Sequence, residues 1–146
     1  MTAATADLDD LAAFLRAQGL DPHGLDEPGT LLWTVRDASG PTASAALELA
    51  GPAALLRSVA VRPDRRGNGT ARRLVEDVLA EAAAGGIRRV YLFSTDAGAF
   101  WRRLGFREVP VPEAANALAA APQVRQYLAD GSLAAEAAWC RDLAAP

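Results

Sequence analysis

Arg62, Arg65, Arg66, Arg72 and Arg73 lie within twelve residues whose only acid is Asp64, inside a chain whose formal net charge is −3. They surround the turn Arg66-Gly67-Asn68-Gly69-Thr70-Ala71. Glycines at 67 and 69 let backbone N–H groups close around an anion without Cβ obstruction, and a helix beginning at Ala71 aims its positive end at the same place. Arg72 and Arg73 occupy the first turn of that helix, where the macrodipole favours acids. A pyrophosphate bound at the helix start resolves this conflict; the alternative is a solvated arginine-rich turn. The turn is no dinucleotide fingerprint, because the third glycine is missing and no acid follows at a spacing of about twenty residues. It is no P-loop either.

Three other positions carry polar chemistry. Arg57 interrupts the apolar run Ala54 to Val61 and must find a carboxylate, either the α-carboxylate of a bound substrate or an acid of the protein itself. Ser94, Thr95 and Asp96 follow a predicted parallel strand, at the end of the sheet where open α/β folds bind ligands; they equally suit the capping of a helix over Ala97 to Leu104. Glu48 alternates with Leu47 and Leu49, the pattern of a surface glutamate or of a base at a strand end. His23 falls in a loop rich in structure breakers and reads as exposed, while Trp33, Trp139 and Tyr127 read as packing groups.

The elements that position these residues follow from periodicity. Leu8, Leu11, Phe14 and Leu15 predict an amphipathic helix over 7–18, stopped by Gly19. Asp21 to Gly29 reads as a loop. Leu31 to Arg36 and Ala43 to Leu49 read as a hairpin around Asp37-Ala38-Ser39-Gly40-Pro41. After Gly51-Pro52, Ala54 to Val61 reads as a strand buried on both faces. Leu74, Val75, Val78, Leu79 and Ala82 share one face of a helix over 71–84, ended by Gly85-Gly86. Val90 to Phe93 completes a β-turn-α-β unit with parallel strands and a right-handed crossover. Beyond it come a short helix over 100–104, a strand over 106–111, a helix over 113–120 and a weak strand over 134–143.

Composition excludes several functions. The 146 residues, 51% hydrophobic and 23% charged, suit one domain over 1–146. A pI near 5.1 argues against a nucleic-acid binder, and no apolar run approaches the ~20 residues that span a bilayer. A soluble, cytoplasmic protein is expected. One Cys and one His cannot assemble a metal site of the usual soft and imidazole ligands, so none is expected. All 15 basic residues are Arg, which excludes a Schiff-base lysine.

The stretch LLRSVAVRPDRRGNGTARRLVEDVL, followed by GGIRRVYLFSTDAGAFWRRLGF, closely resembles the core of the GNAT superfamily of acyltransferases, from about Leu31 to Val109. Arg66, Gly69 and Ala71 match its R-x-x-G-x-G/A turn, and Leu104-Gly105-Phe106 its downstream LGF. The first strand usual in the family has only Thr2 to Thr5 to supply it. LLRSVAV together with Ser94-Thr95 resembles the amino-acid N-acetyltransferase branch, including groups tied to arsenic resistance and arsinothricin acetylation.

The resemblance implies an α/β fold: a mixed, mostly antiparallel sheet with one splayed parallel pair and helices on both faces. It implies acetyl-CoA as co-substrate, held by Val59, Ala60 and Val61 along the pantetheine arm and by Arg66, Gly67, Asn68, Gly69, Thr70, Ala71 and Arg72 at the pyrophosphate. An N–H near Val59 or Ala60 would polarise the acetyl carbonyl. The acceptor is a small-molecule amine, with Arg57, Ser94 and Thr95 as substrate-binding candidates and Glu48 as the base acting through water. Many relatives carry a Tyr before the LGF to protonate the departing thiolate, but Phe100-Trp101 stands there, and an indole cannot serve. Water, Tyr91 or Ser94 would take that part. A non-catalytic acyl-CoA-binding module, a protein or peptide acetyltransferase and a homodimeric assembly all remain open.

Overall fold

A computed structural model describes the backbone of residues 5–143 and the side chains of 8–143. The order is α1 (Thr5–Ala17), β1 (Thr30–Asp37), β2 (Gly40–Ala50), β3 (Ala53–Val61), α2 (Thr70–Ala84), β4 (Arg89–Phe93), α3 (Gly98–Arg103), β5 (Arg107–Val109), α4 (Val111–Ala117), α5 (Pro122–Asp130) and β6 (Ala138–Asp142). Thr2 to Ala4, most of the sequence expected to supply a first strand, lie outside the described residues, and Thr5 already opens α1. Among the described residues no helix is long and apolar enough to cross a membrane.

The six strands run β1-β2-β3-β4-β6-β5 across one sheet. β3 and β4 are parallel and all other neighbours antiparallel. On one face α2 buries Leu74, Val75, Val78, Leu79 and Ala82, the five residues predicted from periodicity, beside Trp101, Leu104 and Phe106. The other face divides in two: Leu11, Phe14 and Leu15 of α1 cover Ala46 and Ala60, while Ala114, Leu118 and Val124 cover Leu55, Tyr91 and Cys140.

Two features open the sheet. β3 and β4 share only Ala53↔Arg89, Ala54↔Val90 and Leu55↔Tyr91 before they part. Against β2, meanwhile, Ser44 faces Ala60 but Ala46 faces Arg57, so β3 holds one extra residue there. That bulge centres on Ser58, whose φ of 58° is the one positive value on a non-glycine among the described residues. Ser44 braces it by donating its hydroxyl to Ser58 O at 2.7 Å. A bulge bends and twists its strand, and here the bend coincides with the divergence that leaves a V between β3 and β4.

The tail departs from the sequence reading. The strand expected over 106–111 is only Arg107–Val109, because Pro110-Val111 already turns into α4. α5 had no counterpart in the reading; Pro122 stands at its start, where a missing N–H costs nothing, and Gly131 at φ 77° ends it. β6 inserts between β4 and β5. Ser94, Thr95 and Asp96 do not cap α3, whose N-cap is Ala97 without a side-chain hydrogen bond.

Candidate active site

A cleft of about 410 Å³ runs from the V to the start of α2. Val59, Ala60 and Val61 form one wall, Ala97, Phe100 and Trp101 close the aromatic end, and Arg65, Arg66, Gly67, Gly69, Thr70, Ala71 and Arg72 form the other end, with Gln18 and Leu20 at the rim. Of the residues predicted to hold acetyl-CoA, all but Asn68 line it. Asn68 stands behind, where its side chain accepts from the Thr70 hydroxyl at 2.6 Å and its carbonyl from Arg73 Nη1 at 2.9 Å.

The turn is made by backbone conformation. Gly67 and Gly69 have φ of 86° and 80°, values that an L side chain reaches only at a cost. Gly69 is the N-cap of α2, which has no side-chain cap and no acid in its first turn. The first N–H groups of α2 therefore face the cleft without a competing carboxylate. Arg66 is held in place by bonds to Val61 O and Gln18 Oε1, both 2.8 Å.

Tertiary structure dilutes the positive cluster read from sequence. Asp37, the last residue of β1, meets Arg62 at 3.0 Å and also bonds Arg65, while Arg62 takes Asp64 at 2.6 Å. Hydrogen bonds from the Ser39 hydroxyl and N–H, then from Arg62, hold the Asp37 carboxyl well below the usual carboxylate range. Arg66, Arg72 and Arg73 carry the charge that remains at the helix start.

The other candidates lie on the opposite face. Arg57 and Glu48 pair at 2.8 Å with side chains 2% and 0% exposed. The second Glu48 oxygen accepts the Gln123 N–H at 2.9 Å. Arg57 further donates to Ser58 Oγ at 3.2 Å and to the carbonyls of Asp21 and His23. Gly24 lies so close that a Cβ there would meet Pro122 Cβ at 3.0 Å, Glu48 Oε2 at 3.3 Å and Arg57 Nη1 at 3.4 Å. Glu48 is thus no surface glutamate, and both its oxygens are bonded inside the protein. The carboxylate Arg57 requires is supplied internally, and the pair knits the 21–24 loop, β2, β3 and α5 along the seam between the two apolar clusters of this face.

Tyr91 and Ser94 do not line the cleft. Tyr91 is 1% exposed beneath α4 and donates to Glu113 Oε2 at 3.3 Å, which corrects its expected place at the thiolate. Burial pushes its phenol up. Ser94 is half-buried at the end of β4; its N–H reaches Ala137 O and its carbonyl accepts Trp139 Nε1, both at 2.9 Å. Thr95 is exposed. His23 is exposed, as read. Tyr127, read as a packing group, and Glu136 lie in the tail whose elements were the least legible, and both are half-buried there.

Residues 28–108 match the family described as the acetyltransferase (GNAT) domain. No curated protein matches the chain significantly. Among solved structures, N-acetylglutamate synthase from Neisseria gonorrhoeae, complexed with coenzyme A and N-acetyl-glutamate, superposes with a TM-score of 0.72 at 20% identity; the match covers 99% of this chain and 34% of the synthase. This chain therefore spans about a third of that enzyme. A Mycobacterium tuberculosis protein in complex with CoA gives 0.75 at 18% identity over 99% of this chain and 98% of its own. An aminoglycoside 6′-N-acetyltransferase complexed with coenzyme A gives 0.62 at 18% identity, covering 73% and 82%. At such identities the likeness is one of fold. The family match, over more than half the sequence and across the splayed strands and glycine turn just described, shows that this chain belongs to the GNAT family of acetyltransferases.

Proposed function

We propose that the protein moves an acetyl group from acetyl-CoA to the primary amine of a small amino acid or amino-acid analogue, by direct attack in a ternary complex. The observation that carries this reading is the continuity of the cleft: a stretch of β3 free on its β4 side leads from the V directly to a helix start built on two left-handed glycines. The pyrophosphate sits on the first N–H groups of α2 with Arg66 and Arg72 beside it. Pantetheine lies along Val59 to Val61 and adds to the sheet as a strand would. The thioester carbonyl then reaches the bulge, where the Val59 or Ala60 N–H polarises it and stabilises the oxyanion.

Holding donor and acceptor together in the V supplies most of the acceleration through proximity. The described residues at the aromatic end, Ala97, Phe100 and Trp101, offer no acidic hydrogen, so water protonates the departing thiolate. The amino-acid class is supported by the Neisseria synthase as a fold neighbour and by LLRSVAV with Ser94-Thr95, which also points to arsenic- or phosphorus-containing analogues. Ser94 and Thr95, at the acceptor end of β4, are retained as substrate contacts.

Thiol release from acetyl-CoA, measured across a panel of amino acids and their analogues, tests the reading; turnover with at least one primary amine is expected. Trp101 at the cleft wall favours one rival, a module that binds acyl-CoA without turnover. Tight acetyl-CoA binding with no thiol release on any amine would select it.

A further inference from the structure

On the face opposite α2, Phe93 and Tyr127 pack together beside the mouth of the V, with Arg57 and Glu136 near enough to Tyr127 to act on it electrostatically. The last parallel pair is Leu55↔Tyr91, so two residues further Arg57 and Phe93 stand across the gap with side chains on the same face. Tyr127 of α5 packs its ring on Phe93, centroids 5.9 Å apart and planes at 60°. Phe93 pairs with Ala138 on its other side, and Ser94 donates to Ala137 O. Glu136, in extended backbone with φ −89° and ψ 160°, immediately precedes the Ala137 carbonyl that Ser94 reaches, and so lies beside the end of β4.

We propose that Glu136 is the general base of the transfer and that Phe93 and Tyr127 form the wall against which the acceptor amine lies. The assignment rests on the reading of the chain as an amine acetyltransferase. Glu136 is half-buried, and burial alone raises its carboxyl above the ordinary value, with no hydrogen bond or charge opposing it. It is close enough to Tyr127 for its charge to raise the phenol further. Tyr127 thus stays neutral and apolar-faced at working pH. The other charges around Tyr127 are Arg57 on β3, Asp21 in the 21–24 loop and Asp130 at the end of α5. A carboxylate poised above the usual glutamate range is better matched to an ammonium than an ordinary one.

The proton and electron account closes. Glu136 takes one proton from the acceptor ammonium, freeing its lone pair to form the C–N bond at the thioester carbon. The C–S bond breaks, sulfur leaves with the bonding pair, and the second nitrogen proton reaches it through water. Glu136 returns its proton to solvent.

Glu136→Gln should lower kcat by on the order of 100-fold or more, leave the KM for acetyl-CoA unchanged and remove the acid limb of the pH profile. Glu136→Asp, which keeps the charge and withdraws it, should retain that limb at a reduced rate. A Glu136→Gln enzyme within a few-fold of the parent with the same acid limb would overturn the assignment. If the parent binds CoA but acetylates no amine, amine transfer itself falls. The carboxylate is then judged by carbon NMR of labelled glutamate with ethylamine as probe: a raised Glu136 titration that ethylamine displaces keeps the ammonium site, and an ordinary, unresponsive one removes it.

Discussion

The turn at 62–73 and the seam around Arg57 both begin as arginines that look out of place in the sequence, yet the fold treats them oppositely. Around the turn the arginines stay near solvent, two are neutralised by Asp37 and Asp64, and the first N–H groups of α2 are left without a side-chain cap. At the seam a single arginine is withdrawn from water, and its bonds are supplied by Glu48 of β2, the carbonyls of Asp21 and His23, and the neighbouring Ser58 hydroxyl. A site made of backbone tolerates change in its charges but not in its glycines. A site made of a buried ion pair tolerates neither partner's loss, since the survivor is left charged and unpaired.

The contrast breaks most visibly at Glu48. Glu48→Ala leaves Arg57 buried without its acid and should cost about 3–5 kcal/mol of stability, read as a large fall in the denaturation midpoint. Arg57→Met with Glu48→Leu should recover most of it, because replacing both partners by apolar groups leaves no stranded charge. If the single substitution costs under about 1 kcal/mol, the pair is not the clamp described.

Gly69→Val comes next. A β-branched residue cannot adopt φ 80° without strain and would press on Arg73, whose Nη1 lies 3.2 Å from the position of a Cβ. Acetyl-CoA affinity, measured by calorimetry, should fall by about 100-fold, or about 2.7 kcal/mol, with much of the fold's stability kept. Unchanged affinity would separate the turn from the pyrophosphate. Arg72→Ala should weaken CoA binding only about five- to tenfold, roughly 1 kcal/mol, with a flatter salt dependence than the parent.

The smallest effect is expected at Asp37. Its folded carboxyl titrates below its unfolded value of 3.8, so its contribution is present above that pH and fades as pH falls below it. Because solvent screens this network, Asp37→Asn should lower the thermal midpoint at pH 7 only slightly, and the two proteins should draw together further in acid. A large neutral-pH loss would show that the exposed network around Arg62 matters more than solvent screening allows.

Legibility followed chain distance. The donor turn could be read because its glycines, its arginines and the helix they precede are contiguous, and the five buried residues of α2 keep one helical period. Arg57 could be recognised as misplaced but not resolved: its partners Glu48, Asp21 and His23 lie nine to thirty-six residues away. Tyr127 read as packing, which its ring on Phe93 is in part. Glu136 gave no signal, since a lone glutamate in an alanine-rich tail is chemically ordinary until the fold half-buries it near Tyr127.

The sequence by itself determined the elements that local chemistry can enforce: a hairpin, a parallel β-α-β unit and a glycine turn whose φ values only glycine takes easily. The tertiary structure alone decided which polar groups share a face. It inserted β6 between β4 and β5, laid α5 beside the V and turned Glu48 inward to Arg57. The physical reason is that burial, and with it the partnership and proton affinity of a side chain, depends on contacts between segments that no local pattern encodes.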